Sequence, residues 1–396
     1  MQQKLSFQNL KFAIVIIFYL ASLLFSSTTV SGINYIADTS SHSYEPDNAN
    51  ILYVGRIDFT DPKKPIFSAP AVYIKTAFTG VSCSIKLEDE FLNNGKNYYE
   101  VIIDKKYIRR ITPQPGQHVY LAMNGLKYGK HEVTFVKRTE AAIGKCTFLG
   151  FIFGGVISKP APLSDRKIAF YGNSISVGSG NEGHADSPEC KEWNLSIPYS
   201  NANLSFASLA AQRLKAEYQI TGVSGIGMVR NYTSGNNLTM PMVYDHLHLA
   251  DATSPKWSMN LFIPYVIVIE LGTNDFSPGD NPTTSPRSRM DTSTFCRKYI
   301  HFVDTILSKY PNAHVFCMYS PMLTDGWPDA SFHSYTDHVK SMHLVVNHFN
   351  EKGIKSVHQL PVSHQAGKGC TSHPSAAEHV AIASEVESEI KKVMGW

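Results

Sequence analysis

The chain has 396 residues, 43% hydrophobic and 17% charged, with a formal net charge of +3. That apolar content excludes intrinsic disorder and is enough for two or three cores at about 150 residues per domain. A charge so close to neutral gives no reason to expect a nucleic-acid partner and suits uncharged carbohydrate.

Lys4 and Lys11 precede an apolar stretch at residues 12–25, and small polar residues follow to Gly32. This order predicts a signal peptide over residues 1–32, with cleavage near Ser31 or Gly32. The stretch is shorter than the roughly 20 apolar residues of a membrane span, although an uncleaved signal anchor has the same flanks. The mature protein is expected to be extracellular and without stable membrane insertion. Its formal charge falls from +3 to about +1, because residues 1–32 hold two lysines and no acids. Four sequons, at Asn194, Asn203, Asn231 and Asn237, suit an exported glycoprotein. Six cysteines allow three bridges in an oxidising compartment. Cys83 and Cys146 are the two that precede residue 160, which makes them a natural within-domain pair, whereas Cys317 reads as a core thiol.

Residues 33–160 read as short strands divided by turns. Ala71-Val-Tyr-Ile-Lys-Thr-Ala-Phe78, Tyr98-Tyr-Glu-Val-Ile-Ile103 and His131-Glu-Val-Thr-Phe-Val136 are strand patterns, punctuated by Asn94-Gly95, Pro115-Gly116 and Asn124-Gly125. Many short strands with no helical stretch between them predict a β-sandwich. Pro160-Ala-Pro162 marks a boundary, and over residues 161–396 the rhythm changes. Apolar runs begin at Lys167, Tyr218, Tyr265, Ala313 and Ile354, separated by helical periodicity such as Phe295, Tyr299, Phe302, Val303 and Ile306 behind a cap at Asp291. Alternating strands and helices predict a parallel sheet of about five strands flanked by helices.

In such a sheet, ligands bind beyond the carboxyl ends of the strands. The first strand is followed by Gly172-Asn-Ser-Ile, which exposes Ser174 at a turn, and the second by Val223-Ser-Gly-Ile, with Gly225 able to bring its N–H close to a ligand. The third is followed by Gly272-Thr-Asn-Asp275, where Asn274 is a side-chain donor, and the last loop carries Ser372-His-Pro374. Pro374 suits a first helical turn, which puts His373 at the loop–helix junction. Each feature also has a structural explanation, as turn, cap or surface residue. Together they supply a nucleophile, a general base and oxyanion donors, the set acyl transfer needs. Trp327, on the loop after the fourth strand, is either a platform for a sugar ring or a pin for its loop. His246 and His248 flank one leucine and are read as structural, so no metal and no cofactor is expected.

The four blocks resemble those of the SGNH (GDSL-type) hydrolases. That resemblance implies Ser174 as nucleophile, His373 as base, and an oxyanion hole of Ser174 N–H, Gly225 N–H and the Asn274 side chain. In the first half, Asn97-Tyr-Tyr-Glu-Val-Ile-Ile-Asp104, Leu126-Lys-Tyr-Gly-Lys-His131, Lys137-Arg-Thr-Glu140 and Gly144-Lys-Cys-Thr-Phe-Leu-Gly150 are similar to the N-terminal jelly roll of carbohydrate esterase family 2. The combined resemblance implies a jelly roll followed by an SGNH domain, acting as an acetyl xylan esterase on acetylated plant polysaccharide.

The chain departs from the pattern in two respects. Asn173 stands where the first block usually has Asp, and Cys370 and Thr371 stand where an Asp usually precedes the His. The resemblance then implies a Ser-His dyad with a backbone carbonyl holding His373, the competing arrangement being a carboxylate from a distant loop such as Asp280. Other functions compatible with the sequence are an SGNH lipase or lysophospholipase and a carbohydrate-binding protein whose active site has decayed.

Overall fold

A computed structural model describes residues 39–91, 95–235 and 237–396, so the signal-peptide expectation lies outside the described residues. Among the described residues, no helix is long and apolar enough to cross a membrane.

The first half builds one sheet whose pairings are all antiparallel, organised by the 17-residue strand Tyr73–Asp89. Residues 73–80 of that strand pair with Gly129–Lys137, and residues 83–89 pair with Gly116–Met123. Along its other edge it pairs with Cys146–Ser158 through two register shifts. Changing partners halfway, with bulges that increase local twist, lets the sheet fold over its own face. Inside lies an aromatic core in which Phe78 stacks on Phe153 at 4.3 Å between ring centres and Phe148 meets Phe151 at 5.1 Å. Gly80 and Gly155 are required where the two long strands cross, because a Cβ on Gly155 would overlap the Thr79 carbonyl.

The expected Cys83–Cys146 bridge does not form, and both are free, buried thiols. Cys83 lies opposite Phe153 and Cys146 opposite Asp89. Phe153 is seven residues from Cys146 along one strand, about 23 Å at strand rise, far beyond the reach of a disulfide. The disulfide that does form joins Cys190 to Cys370 in the second half.

The second half holds five parallel strands in the order Glu217–Gly222, Lys167–Gly172, Val266–Glu270, His314–Met318 and Val357–Leu360. Helix Phe206–Arg213 packs on Ala376–Met394, and Thr292–Lys309 packs on Ser334–Glu351. Asp291 caps the third of these, its carboxylate accepting from Thr294 N–H at 2.7 Å. The last helix begins at Ala376, two residues later than its proline suggested. Ser375 and Glu378 form a capping box, which leaves Pro374 outside the helix and His373 in extended backbone.

The halves are joined by buried polar contacts. Tyr73 Oη donates to Glu217, Arg138 pairs with Glu182, and Arg56 donates to the His246 carbonyl. The described residues accordingly form one compact unit.

Candidate active site

Strand Lys167–Gly172 ends in a turn fixed from below. Asn173 Oδ1 accepts from Ile175 N–H at 2.9 Å, and its Nδ2 donates to Glu270 Oε1 at 3.0 Å. Ser176 Oγ donates to Glu270 Oε2 at 3.0 Å, so the residues on both sides of Ser174 are tied to one buried carboxylate. Thr273 Oγ1 adds a contact to the same group at 3.2 Å. Burial pushes the Glu270 carboxyl up to about 7, against the pull of these hydrogen bonds. Glu270 went unremarked in the sequence, although an acid closing the apolar run Val266–Glu270 was the available signal.

Next to the first turn lies the loop after strand Glu217–Gly222. Ser224 N–H donates to Glu140, Ile226 N–H to the Val223 carbonyl at 3.3 Å, and Gly227 N–H to Asn231 Oδ1 at 2.9 Å. Among the described residues the N–H of Gly225 has no acceptor, in a backbone at φ +79° that favours glycine. Asn274 Nδ2 donates one hydrogen to the Ile226 carbonyl at 2.8 Å, which fixes its amide beside this loop and leaves its second hydrogen unspent. Asp275, fully buried, accepts from the N–H groups of Met228, Val229 and Arg230 at 2.9, 2.6 and 3.0 Å. Arg287 braces the same region through the carbonyls of Asn231 and Asn274. Neither role was legible in the sequence, since both depend on chain segments that meet only in the fold.

His373 is half-buried, and its Nδ1 faces Thr371 Oγ1 at 2.8 Å and the Cys370 carbonyl at 3.2 Å. Thr371 Oγ1 itself donates to that carbonyl at 2.8 Å. Acceptors on both sides require the proton on Nδ1, which leaves Nε2 with its lone pair. No carboxylate among the described residues bonds to Nδ1, and the charge of Asp280 acts on Arg287 and Tyr232 instead. Burial lowers the imidazole below its ordinary range, and the hydrogen bonds to Cys370 and Thr371 oppose that shift. Thr371 and Ser372 both adopt left-handed backbone, at φ 50° and 61°. The strained turn is held by the Cys190–Cys370 disulfide and by Cys370 N–H on the Gly180 carbonyl at 3.0 Å. Ala376 N–H on the Asn181 carbonyl at 2.7 Å completes the lacing of the His373 loop to the loop that follows Ser174.

The bridge spans 180 residues of sequence. Replacing both cysteines with alanine is expected to cost about 3–5 kcal/mol of stability, read as a lowered denaturant midpoint. Activity should fall with it, because the Cys370 carbonyl holds the imidazole. An unchanged midpoint would show that the bridge does not restrain the fold.

Trp327 is 48% exposed on the loop after strand His314–Met318, and no ring pairs with it among the described residues. His246 Nδ1 lies 3.1 Å from the Asp251 carbonyl and His248 Nδ1 lies 3.2 Å from Ser68 Oγ, contacts that fit structural histidines. Of the sequons, Asn194 and Asn237 are exposed. Asn203 is tied to Gln212 and Glu100. Asn231 must be withdrawn as a glycan site, because its buried amide accepts from Gly227 N–H and donates to the Leu238 carbonyl.

The family profile described as Carbohydrate esterase 2 N-terminal matches residues 53–162, and GDSL-like Lipase/Acylhydrolase family matches residues 170–369. An acetylxylan esterase / glucomannan deacetylase of Cellvibrio japonicus is 30% identical over 90% of this chain and 95% of its own length. The cellulase/esterase CelE of Acetivibrio thermocellus is 31% identical over 90% of this chain, which spans only 41% of that longer protein. A family two carbohydrate esterase from Clostridium thermocellum, solved in complex with cellohexaose, superposes with a TM-score of 0.77 at 30% identity, covering 87% of this chain and 99% of its own. With both halves matched in this order, the chain belongs to carbohydrate esterase family 2, its second half to the GDSL-like acylhydrolases, and is a carboxylic ester hydrolase.

Proposed function

We propose that the protein is a secreted serine esterase that removes O-acetyl groups from plant polysaccharide of the acetylxylan or glucomannan type. The observation that carries this reading is the commitment of His373 Nδ1–H to the Thr371 hydroxyl and the Cys370 carbonyl, which leaves Nε2 to act as base with no carboxylate on the ring among the described residues. His373 takes the proton of Ser174 as Oγ attacks the acetyl carbonyl. The oxyanion accepts from Ser174 N–H, Gly225 N–H and Asn274 Nδ2. The sugar hydroxyl leaves with the proton from His373, and water activated by the same imidazole then hydrolyses the acetyl-enzyme. Every step uses groups of this chain. The carbohydrate substrate is inferred from relatives that are named acetylxylan esterases and glucomannan deacetylases. A disulfide beside the base supports an oxidising, extracellular compartment.

The test is acetate release from acetylated xylan, glucomannan and pectin, beside a series of 4-nitrophenyl esters of rising chain length. Preference for acetyl over long acyl chains is expected, and the reverse order would favour a lipase. Absence of turnover on every ester would leave a binding protein. Trp327 is assigned as a sugar platform on its exposure alone. Trp327→Ala should raise KM for polymer about 10-fold while leaving KM for 4-nitrophenyl acetate unchanged, a loss on the scale of one aromatic contact. An equal KM for polymer would sink that assignment.

A further inference from the structure

The motif Lys137-Arg-Thr-Glu140 connects the last two long strands of the antiparallel domain, and all four residues are buried. Among the described residues its lysine bonds to no carboxylate. Lys137 Nζ donates to the carbonyls of Thr139 and Glu140 at 2.8 and 2.9 Å, which fixes the backbone that carries the glutamate. Thr139 Oγ1 donates to Asn97 Oδ1 at 2.8 Å, and Asn97 in turn donates to Asp89 at 2.9 Å. Arg138 reaches across to Glu182 and the Ser200 carbonyl, and Ala202 N–H returns a bond to the Arg138 carbonyl at 2.8 Å. A rigid platform thus ends in the Glu140 carboxylate, and that carboxylate receives the N–H of Ser224.

A carboxylate buried between domains is costly, and an apolar side chain would join the two halves at least as well. Its contact explains it better than docking does. The adjoining peptide carries Gly225 N–H, the amide of the 224–227 turn without an acceptor among the described residues. If Ser224 N–H lost its acceptor, the turn could rotate to satisfy that donor, and Gly225 N–H would swing with it. Asn274 anchors the other side of the same turn through the Ile226 carbonyl.

We propose that Glu140, a residue of the antiparallel domain, is a positioning residue of the oxyanion hole, holding Ser224 so that Gly225 N–H points into the cleft. The inference rests on the reading of Gly225 as an oxyanion donor. It makes the first domain part of the catalytic apparatus as well as a neighbour of it.

The experiment measures kcat, KM and Tm on 4-nitrophenyl acetate for Glu140→Ala, Glu140→Asp, Glu140→Gln and Asn274→Ala in the full chain. Glu140→Ala should lower kcat about 30- to 100-fold with KM within about 2-fold, the signature of a contact felt in the transition state. Glu140→Gln keeps an acceptor oxygen at the same reach and should recover most of that loss. Glu140→Asp keeps the charge but withdraws it by one methylene, and should fall about 10-fold or more in kcat. It decides the matter if the alanine variant fails to fold. Wild-type kcat in the Asp variant, or equal losses in Gln and Ala, overturns the proposal. If Asn274→Ala is impaired while the Glu140 variants are not, the oxyanion reading survives and the role of Glu140 falls. If Asn274→Ala and the Glu140 variants are all fully active, the oxyanion reading itself falls.

Discussion

Ser174→Ala is expected to lower kcat on acetyl esters by about 10⁴- to 10⁶-fold, the range for removing a serine nucleophile. The fold should survive, because the turn is held by Asn173, Ser176 and Glu270, and the Ser174 hydroxyl makes no hydrogen bond among the described residues. A Tm within about 2 °C of wild type is the expected control. His373→Ala should fall nearly as far, and the double variant hardly further, because a nucleophile without its base contributes little. Retention of a tenth of the activity by Ser174→Ala would remove it from the mechanism. The same reading fixes a pH dependence. His373 must be neutral to accept a proton, and burial disfavours its charged form. The acidic limb of kcat/KM should therefore lie below the ordinary imidazole value of about 6.5. Thr371→Asp would put a carboxylate beside Nδ1 in a left-handed backbone that Asp tolerates. Stabilising the imidazolium, it should move that limb upward; a limb that stays put would mean the new carboxylate does not meet the ring.

The parts of this site that were legible in the sequence are those written in local order. The parallel strands are short runs centred on apolar residues and divided by helical periodicity, and Ser174, Gly225, Asn274 and His373 each follow one, so topology alone brings their loops to one edge. What was not legible depends on contacts between distant segments. The Cys190–Cys370 bridge spans 180 residues. Pairing Cys83 with Cys146 failed because sharing a domain says nothing about register, and these two sit at different points along the same pair of strands. Asp275 could be recognised as a motif letter, yet its three backbone N–H partners come from a loop whose path no local pattern predicts. Glu270 was the one signal present and unused, because an acid at the end of a buried apolar strand needs partners to justify its burial.

Asn274→Ala is expected to lower kcat about 10²- to 10³-fold with little change in KM, the cost of deleting one preorganised oxyanion donor. The asymmetry follows from when the charge appears. The ground-state carbonyl is a weak acceptor, whereas the tetrahedral oxyanion is a full anion, so the bond contributes mainly to the transition state. A second cost falls on the fold, because Asn274 Nδ2 also donates to the Ile226 carbonyl. Losing this buried hydrogen bond should cost about 1 kcal/mol of stability, readable in the denaturant midpoint. Asn274→Asp separates the two effects. It preserves the shape of the side chain but replaces the donor with a carboxylate, setting an acceptor against both the Ile226 carbonyl and the forming oxyanion. Its kcat should therefore fall below that of the alanine variant, although it removes no atoms from the cleft. If the aspartate variant were the more active of the two, Asn274 would be acting by filling space, and the oxyanion would have to rest on the backbone N–H groups of Ser174 and Gly225 alone.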